Sequence, residues 1–102
     1  MVFDVIMLST ALMDVQNSVD YYEEQSEGLG VRFDAELNEC LVALETTPFF
    51  QNRYNEVRCI PLHKFPFMVH YTVDTELLLV VVHAVFHTSL HPKLWTGRKG
   101  QQ

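Results

Sequence analysis

The run from Leu77 to Phe86 (Leu-Leu-Leu-Val-Val-Val-His-Ala-Val-Phe) constrains this chain more than any other stretch. It is too short to span a bilayer, lacks helical periodicity and is rich in β-branched Val. It therefore predicts a strand covered on both faces. Just upstream, Phe67, Val69, Tyr71 and Val73 take alternate positions, and Asp74-Thr75-Glu76 links the two stretches. That is the pattern of a hairpin: an alternating strand, a short polar turn and a buried strand. The rest of the chain has to cover it.

Val2–Leu8 predicts a short strand, and Ser9 and Thr10 offer an N-cap, with Asp14 placed to suit the helix dipole. Leu12, Val15, Val19 and Tyr22 then recur at three- and four-residue steps, the apolar stripe of an amphipathic helix. Gly28 is placed as its left-handed C-terminal cap. A second helix over 30–45 carries Phe33, Leu37, Leu41 and Leu44 on one side and stops at Thr46-Thr47-Pro48. The glycine link makes the two an antiparallel hairpin. Residues 49–55 read as a polar, aromatic loop. Residues 56–62 read as a strand, with Pro61 marking an edge or a bulge. The expected fold class is α+β, a β-α-α-β-β-β order with the helical hairpin packed on a mostly antiparallel sheet. The first strand joins that sheet at its edge or beside the last strand. Residues 1–98 form one domain and 99–102 a loose tail.

Charge is unevenly spread. Residues 1–51 carry a net −9 and residues 52–102 a net +3, within a total of −6. All five histidines lie in the second half. The basic half is where an anionic partner is expected, whereas the overall sign opposes unaided nucleic-acid binding. Cys40 and Cys59 lack metal-ligand spacing and read as reduced, buried thiols of a cytoplasmic protein. No basic leader and no membrane-length segment is present in the sequence, so no membrane association is expected.

Gly28-x-Gly30 follows a helix rather than a strand, so it is helix punctuation and not a phosphate loop. His83, His87 and His91 share a spacing of four, but on a strand His83 and His87 stand about 13 Å apart and cannot share one zinc. No metal and no cofactor is expected. His83, inside the apolar run, reads as a hydrogen-bonded core residue, and His70 as partly exposed. His87 stands where the strand emerges into a polar loop, and its titration range suits proton transfer. Arg58 shares a strand face with Ile60 and Leu62, so its charge needs a partner or a route to solvent. A salt bridge to the acidic helices is the structural alternative to a functional role. Phe49, Phe50, Phe65, Phe67 and Phe86 read as core rather than as stacking platforms.

Tyr21-Tyr22-Glu23-Glu24-Gln25, Gly28-Leu29-Gly30-x-x-Phe33, Pro48, Val57-Arg58, Phe65-Pro66-Phe67, Tyr71 and Ala84-Val85-Phe86-His87 occur here in an order and spacing that resembles the RelE/ParE toxin superfamily. The branch it looks like is that of bacterial plasmid stabilisation proteins, and the resemblance covers about residues 3–98. It implies the toxin of a two-gene toxin–antitoxin module, neutralised by a small antitoxin. RelE-like members cut messenger RNA on the ribosome with basic residues, often arginines. ParE-like members lack that set and act on DNA gyrase. Met68 stands here where the nucleases tend to carry an arginine. Where close relatives often read His-x-x-Arg-Asp-Pro, this chain reads His87-Thr88-Ser89-Leu90-His91-Pro92. Neutral side chains at such positions supply no charge to a phosphorane-like transition state, which favours a ParE-like inhibitor over a nuclease. On the nuclease alternative, the catalytic residues are His87 as general acid or base and Arg58 holding phosphate. Lys64, Lys93, Trp95 and Arg98 are the expected contacts to target or antitoxin. An acidic antitoxin segment is expected against this basic end of the sheet. The further alternative is a non-toxic remnant that still binds its antitoxin.

Overall fold

The computed structural model describes residues 1–50 and 56–89, together with the backbone of 52–54. Its elements are β1 (Asp4–Met7), α1 (Ser9–Gln25), α2 (Leu29–Leu44), β2 (Asn52–Tyr54), β3 (Val57–Pro61), β4 (Phe67–Asp74) and β5 (Leu79–His87). The strands form one sheet in the order β1-β5-β4-β3-β2, antiparallel except for the parallel β1–β5 pair. β1 is thus both at the edge and beside the last strand. The expected α+β architecture is present with one addition, the three-residue β2 inside the stretch read as a loop. Among the described residues β2 pairs with Val57 and Arg58 alone, and the Pro61 end of β3 lies at the margin of the described sheet, where a residue without an N–H costs no ladder bond.

The apolar sides of both helices pack on one face of the sheet. Phe33, Leu37 and Leu44 of α2 and Ala11 of α1 join Val69, Tyr71, Val80, Val82 and Val85 in one core, all 2% exposed or less. The α2 stripe is as expected. Of the α1 stripe, Val15, Val19 and Tyr22 pack against this core, but Leu12 is 54% exposed and Ala11 is fully buried in its place. The cause lies at the start of the helix. β1 stops at Met7, opposite Val82, and among the described residues the β5 backbone beyond that point has no strand neighbour on that side. Thr10 Oγ1 donates to the His83 carbonyl (3.1 Å), and Asp14 Oδ2 accepts from the Val85 N–H (3.0 Å). These bonds satisfy strand groups that would otherwise be buried unpaired, and they set the rotation of α1. Neither Ser9 nor Thr10 caps the helix; its N-cap is Leu8, which makes no side-chain bond.

β5 is buried from Val80 to Phe86 except for half-buried Val81, but it does not alternate simply. His70 pairs with Ala84 and Tyr71 with Val82, so His83 is an extra residue, a β-bulge. The bulge switches the helix-facing positions from Val80 and Val82 to Val85. The opposite face carries its own buried set, Val57, Cys59, His70, His83, Ala84 and Phe86. His70, expected to be partly exposed, is fully buried there. The strand also starts later than its apolar run suggests. Asp74 Oδ1 accepts from the N–H groups of Glu76 and Leu77, and Leu78 adopts a left-handed φ of 53°, so both leucines belong to the turn.

Between the helices, Gly28 has the expected left-handed φ of 85°, but it is the N-cap of α2, and α1 closes at Ser26. Glu23 holds the junction. One carboxylate oxygen accepts from the Gly28 N–H (2.8 Å) and the other from the Gly30 N–H (3.0 Å), which neutralises donors at the positive end of α2. Gly30 is required by proximity. A Cβ there would sit 2.5 Å from the Val19 carbonyl oxygen.

Candidate functional site

The hairpin β4–β5 places His87 opposite Phe67, with the rings edge to face at 5.3 Å. His87 Nδ1 accepts from the Ser89 N–H (3.1 Å), and Ser89 Oγ lies 2.7 Å from the same nitrogen. By that bond the neutral imidazole is assigned its proton on Nε2. Beside the ring, α1 contributes Asn17, Ser18, Tyr21 and Tyr22, which with Phe67 and His87 line a notch of about 360 Å³. Tyr22 is its fixed wall. Its ring stacks on Phe33 at 5.5 Å and meets Phe65 and Phe67 edge-on at 4.9 and 6.1 Å. Tyr21, 58% exposed, stands edge-on to Tyr22 at 5.4 Å and forms the outer lip. A half-buried imidazole at such a mouth can exchange a proton with a bound group.

Arg58 is elsewhere. It lies opposite Tyr71, whereas His87 lies opposite Phe67, four residues away along β4 and one strand further across. At about 3.3 Å per residue and 4.8 Å between strands, their Cα atoms are roughly 16 Å apart. The Arg58 guanidinium donates to the Phe50 carbonyl and stands 5.5 Å over the Phe49 ring. Its charge is therefore held by the segment after α2, and not by the acidic faces of the helices. Phe49 and Phe50, 57% and 38% exposed, form this patch instead of joining the core. Beneath it the Tyr71 hydroxyl donates to the buried Pro48 carbonyl (2.8 Å), and burial pushes the phenol up to about 12.

Lys64 lies in the β3–β4 turn, exposed, at the same end of the sheet as His87, where the Thr88 N–H donates to the Pro66 carbonyl. The turn is tied to α2 because Glu36 accepts from the backbone N–H groups of His63 and Lys64. Sequence reasoning missed Glu36, and likewise Glu23 and Asp14. Each fastens backbone groups outside its own helix: Glu36 and Asp14 groups distant in sequence, and Glu23 those of the helix junction. Met68 is half-buried on the face away from the helices, opposite Phe86. Lys93, Trp95 and Arg98, together with Leu90, His91 and the tail at 99–102, lie outside the described residues.

Cys59 Sγ is 3.2 Å from His70 Nδ1. Burial pushes the His70 imidazole down to about 4 and, with Glu36 nearby, the half-buried Cys40 thiol up to about 11. Neither cysteine is in a disulfide. His83 is buried, with Nε2 2.9 Å from Thr72 Oγ1. Among the described residues no three His, Cys, Asp or Glu side chains gather to hold a metal, and no helix is long and apolar enough to cross a membrane.

No protein-family model and no curated protein matches the sequence. Solved structures do match. One, the chromosomal ParDE toxin–antitoxin system from P. aeruginosa, superposes with a TM-score of 0.73 over 84% of this chain and 96% of that one, at 14% identity. Another, the toxin–antitoxin complex RelBE2 from Mycobacterium tuberculosis, gives a TM-score of 0.57 over 84% of this chain and 91% of that one, at 16% identity. The helical hairpin on a sheet with one parallel edge strand is the RelE/ParE fold.

Proposed function

We propose that the chain is the toxin of a type II toxin–antitoxin module, a ParE-like inhibitor that blocks its target by binding and is neutralised by a small antitoxin. The fold shared with two toxin–antitoxin complexes supports the module. The observation that favours binding over cleavage is the separation of Arg58 from His87. A phosphodiester nuclease needs positive charge on the phosphorane within reach of its proton donor. Here the guanidinium serves Phe50 and Phe49, and the Cα atoms of Arg58 and His87 are roughly 16 Å apart. Met68 adds nothing to replace it. Lys64, with Lys93, Trp95 and Arg98, is assigned to antitoxin or target contact, and DNA gyrase is the target to test first.

Expression of the chain alone in a bacterial host, with transcript mapping and a supercoiling assay on purified protein, decides the matter. Growth arrest with intact transcripts and impaired gyrase supercoiling is the expected outcome. Codon-positioned cuts in ribosome-bound mRNA, abolished by Arg58→Ala or His87→Ala, would replace it with the RelE-like endonuclease. Absence of arrest would leave a non-toxic antitoxin-binding remnant.

A further inference from the structure

We infer that the notch between α1 and the β4–β5 hairpin is a receptor for one arginine side chain of a protein partner. Three observations combine. The walls are aromatic: Tyr21, Tyr22 and Phe67, with the His87 imidazole at the rim. The surrounding field is negative. Asp14, Asp20, Glu23 and Glu24 are the charged residues of α1, which has no Lys or Arg, and from Ser9 to Leu44 eight carboxylates stand against Arg32 alone. Two exposed carboxylates are in register with the lining: Asp20, three residues beyond Asn17, and Glu24, three residues beyond Tyr21.

The two most plausible occupants of an aromatic notch differ in sign. A nucleobase would stack on Tyr21 but would bring its phosphates against the acidic helix layer, where each is repelled. A guanidinium is attracted by the ring faces and by the carboxylates together, and its planar form stacks where an ammonium does not. Tyr22 suits this role because its ring is held from behind by Phe33, Phe65 and Phe67 and loses little freedom on binding. The notch opens on the acidic helix layer, and the basic turn that carries Lys64 adjoins it at the Phe67–His87 end. On the toxin reading, on which the natural occupant rests, the antitoxin would present an arginine here and acidic residues at the turn.

The test is an NMR titration of the full chain with a capped pentapeptide bearing one central arginine. Matched peptides carry citrulline or lysine in its place, and a short single-stranded oligonucleotide serves as the nucleic-acid probe. Saturable shifts of the Tyr21, Tyr22 and His87 ring signals are expected with the arginine peptide, weaker ones with lysine and none with citrulline. Tyr21→Ala, at an exposed lip, should weaken binding about 2–5-fold, and Glu24→Gln about 2-fold; Tyr21→Phe, which keeps the ring, should restore it. Equal shifts with citrulline, or binding of the oligonucleotide in preference to the arginine peptide, would overturn the proposal. The titration does not depend on toxicity. Binding by a chain that arrests no growth upholds the notch and removes only the toxin reading, and arrest without binding does the reverse.

Discussion

Gly30→Ala sets two physical effects against each other with opposite signs. In an isolated helix the change is favourable by at most about 1 kcal/mol, since alanine loses less backbone entropy. In the fold the new methyl would lie 2.5 Å from the Val19 carbonyl oxygen, 2.9 Å from Glu23 Oε1 and 3.2 Å from Glu23 Cβ. The first of these is backbone and cannot swing aside, so the helices must part by the better part of an ångström. Overpacking of that kind costs about 1–3 kcal/mol. Parting also stretches the Glu23 bond to the Gly30 N–H, and bonds to a charged group contribute about 1.5–3 kcal/mol. The net expectation is a loss of about 2 kcal/mol, a fall in Tm of roughly 8–16 °C for a domain of this size. Thermal and urea denaturation followed by circular dichroism would measure it. Because part of the cost passes through Glu23, Gly30→Ala combined with Glu23→Ala should cost less than the sum of the single changes. An unchanged or raised Tm for Gly30→Ala would refute the reasoning, since helix propensity would then outweigh a close approach that the packing of α1 on α2 requires.

Ala11→Leu should destabilise by about 1–3 kcal/mol, because Ala11 is fully buried between α1 and the sheet, whereas Leu12→Gln should stay within about 0.5 kcal/mol; urea midpoints that reverse this order would show that α1 is rotated. Tyr71→Phe leaves the Pro48 carbonyl buried without its donor and should cost about 1–3 kcal/mol. The raised phenol of Tyr71 contributes stability that is complete below pH 10 and lost as pH rises toward 12, so its ultraviolet ionisation should appear only with alkaline unfolding. His70 acts at the other end of the scale. Its folded value near 4 lies below the unfolded 6.5, so its contribution is complete above pH 6.5 and lost as pH falls toward 4. That loss is on the order of 3 kcal/mol, and a His70→Asn series of urea midpoints across the window should lack it.

Residues whose burial follows from local period were legible in the chain. Phe33, Leu37, Leu41 and Leu44 keep one helical face, and Phe67, Val69 and Tyr71 one strand face, and all lie on the core side. Elements fixed by contacts distant in sequence were not. Both the Leu12 and the Ala11 phase of α1 satisfy a 3.6-residue repeat, and the choice between them falls to Thr10 and Asp14 bonding β5 more than seventy residues away. β2 has three residues and no alternation to betray it, so only its pairing with β3 makes it a strand. His70 looked exposed because alternation along β4 places it opposite the core, and it is buried because the second face of this sheet has its own apolar set. The candidate site follows the same rule. His87 was visible as the residue at the mouth of the last strand, but the notch beside it comes from tyrosines more than sixty residues earlier, in a motif whose next member, Glu23, serves the helix junction. The nuclease alternative needs Arg58 near His87, and that depends on a strand register the sequence does not state. The register puts the two residues on the strands that flank β4 and four residues out of step, and the proposal of a binding rather than a cleaving protein rests on that separation.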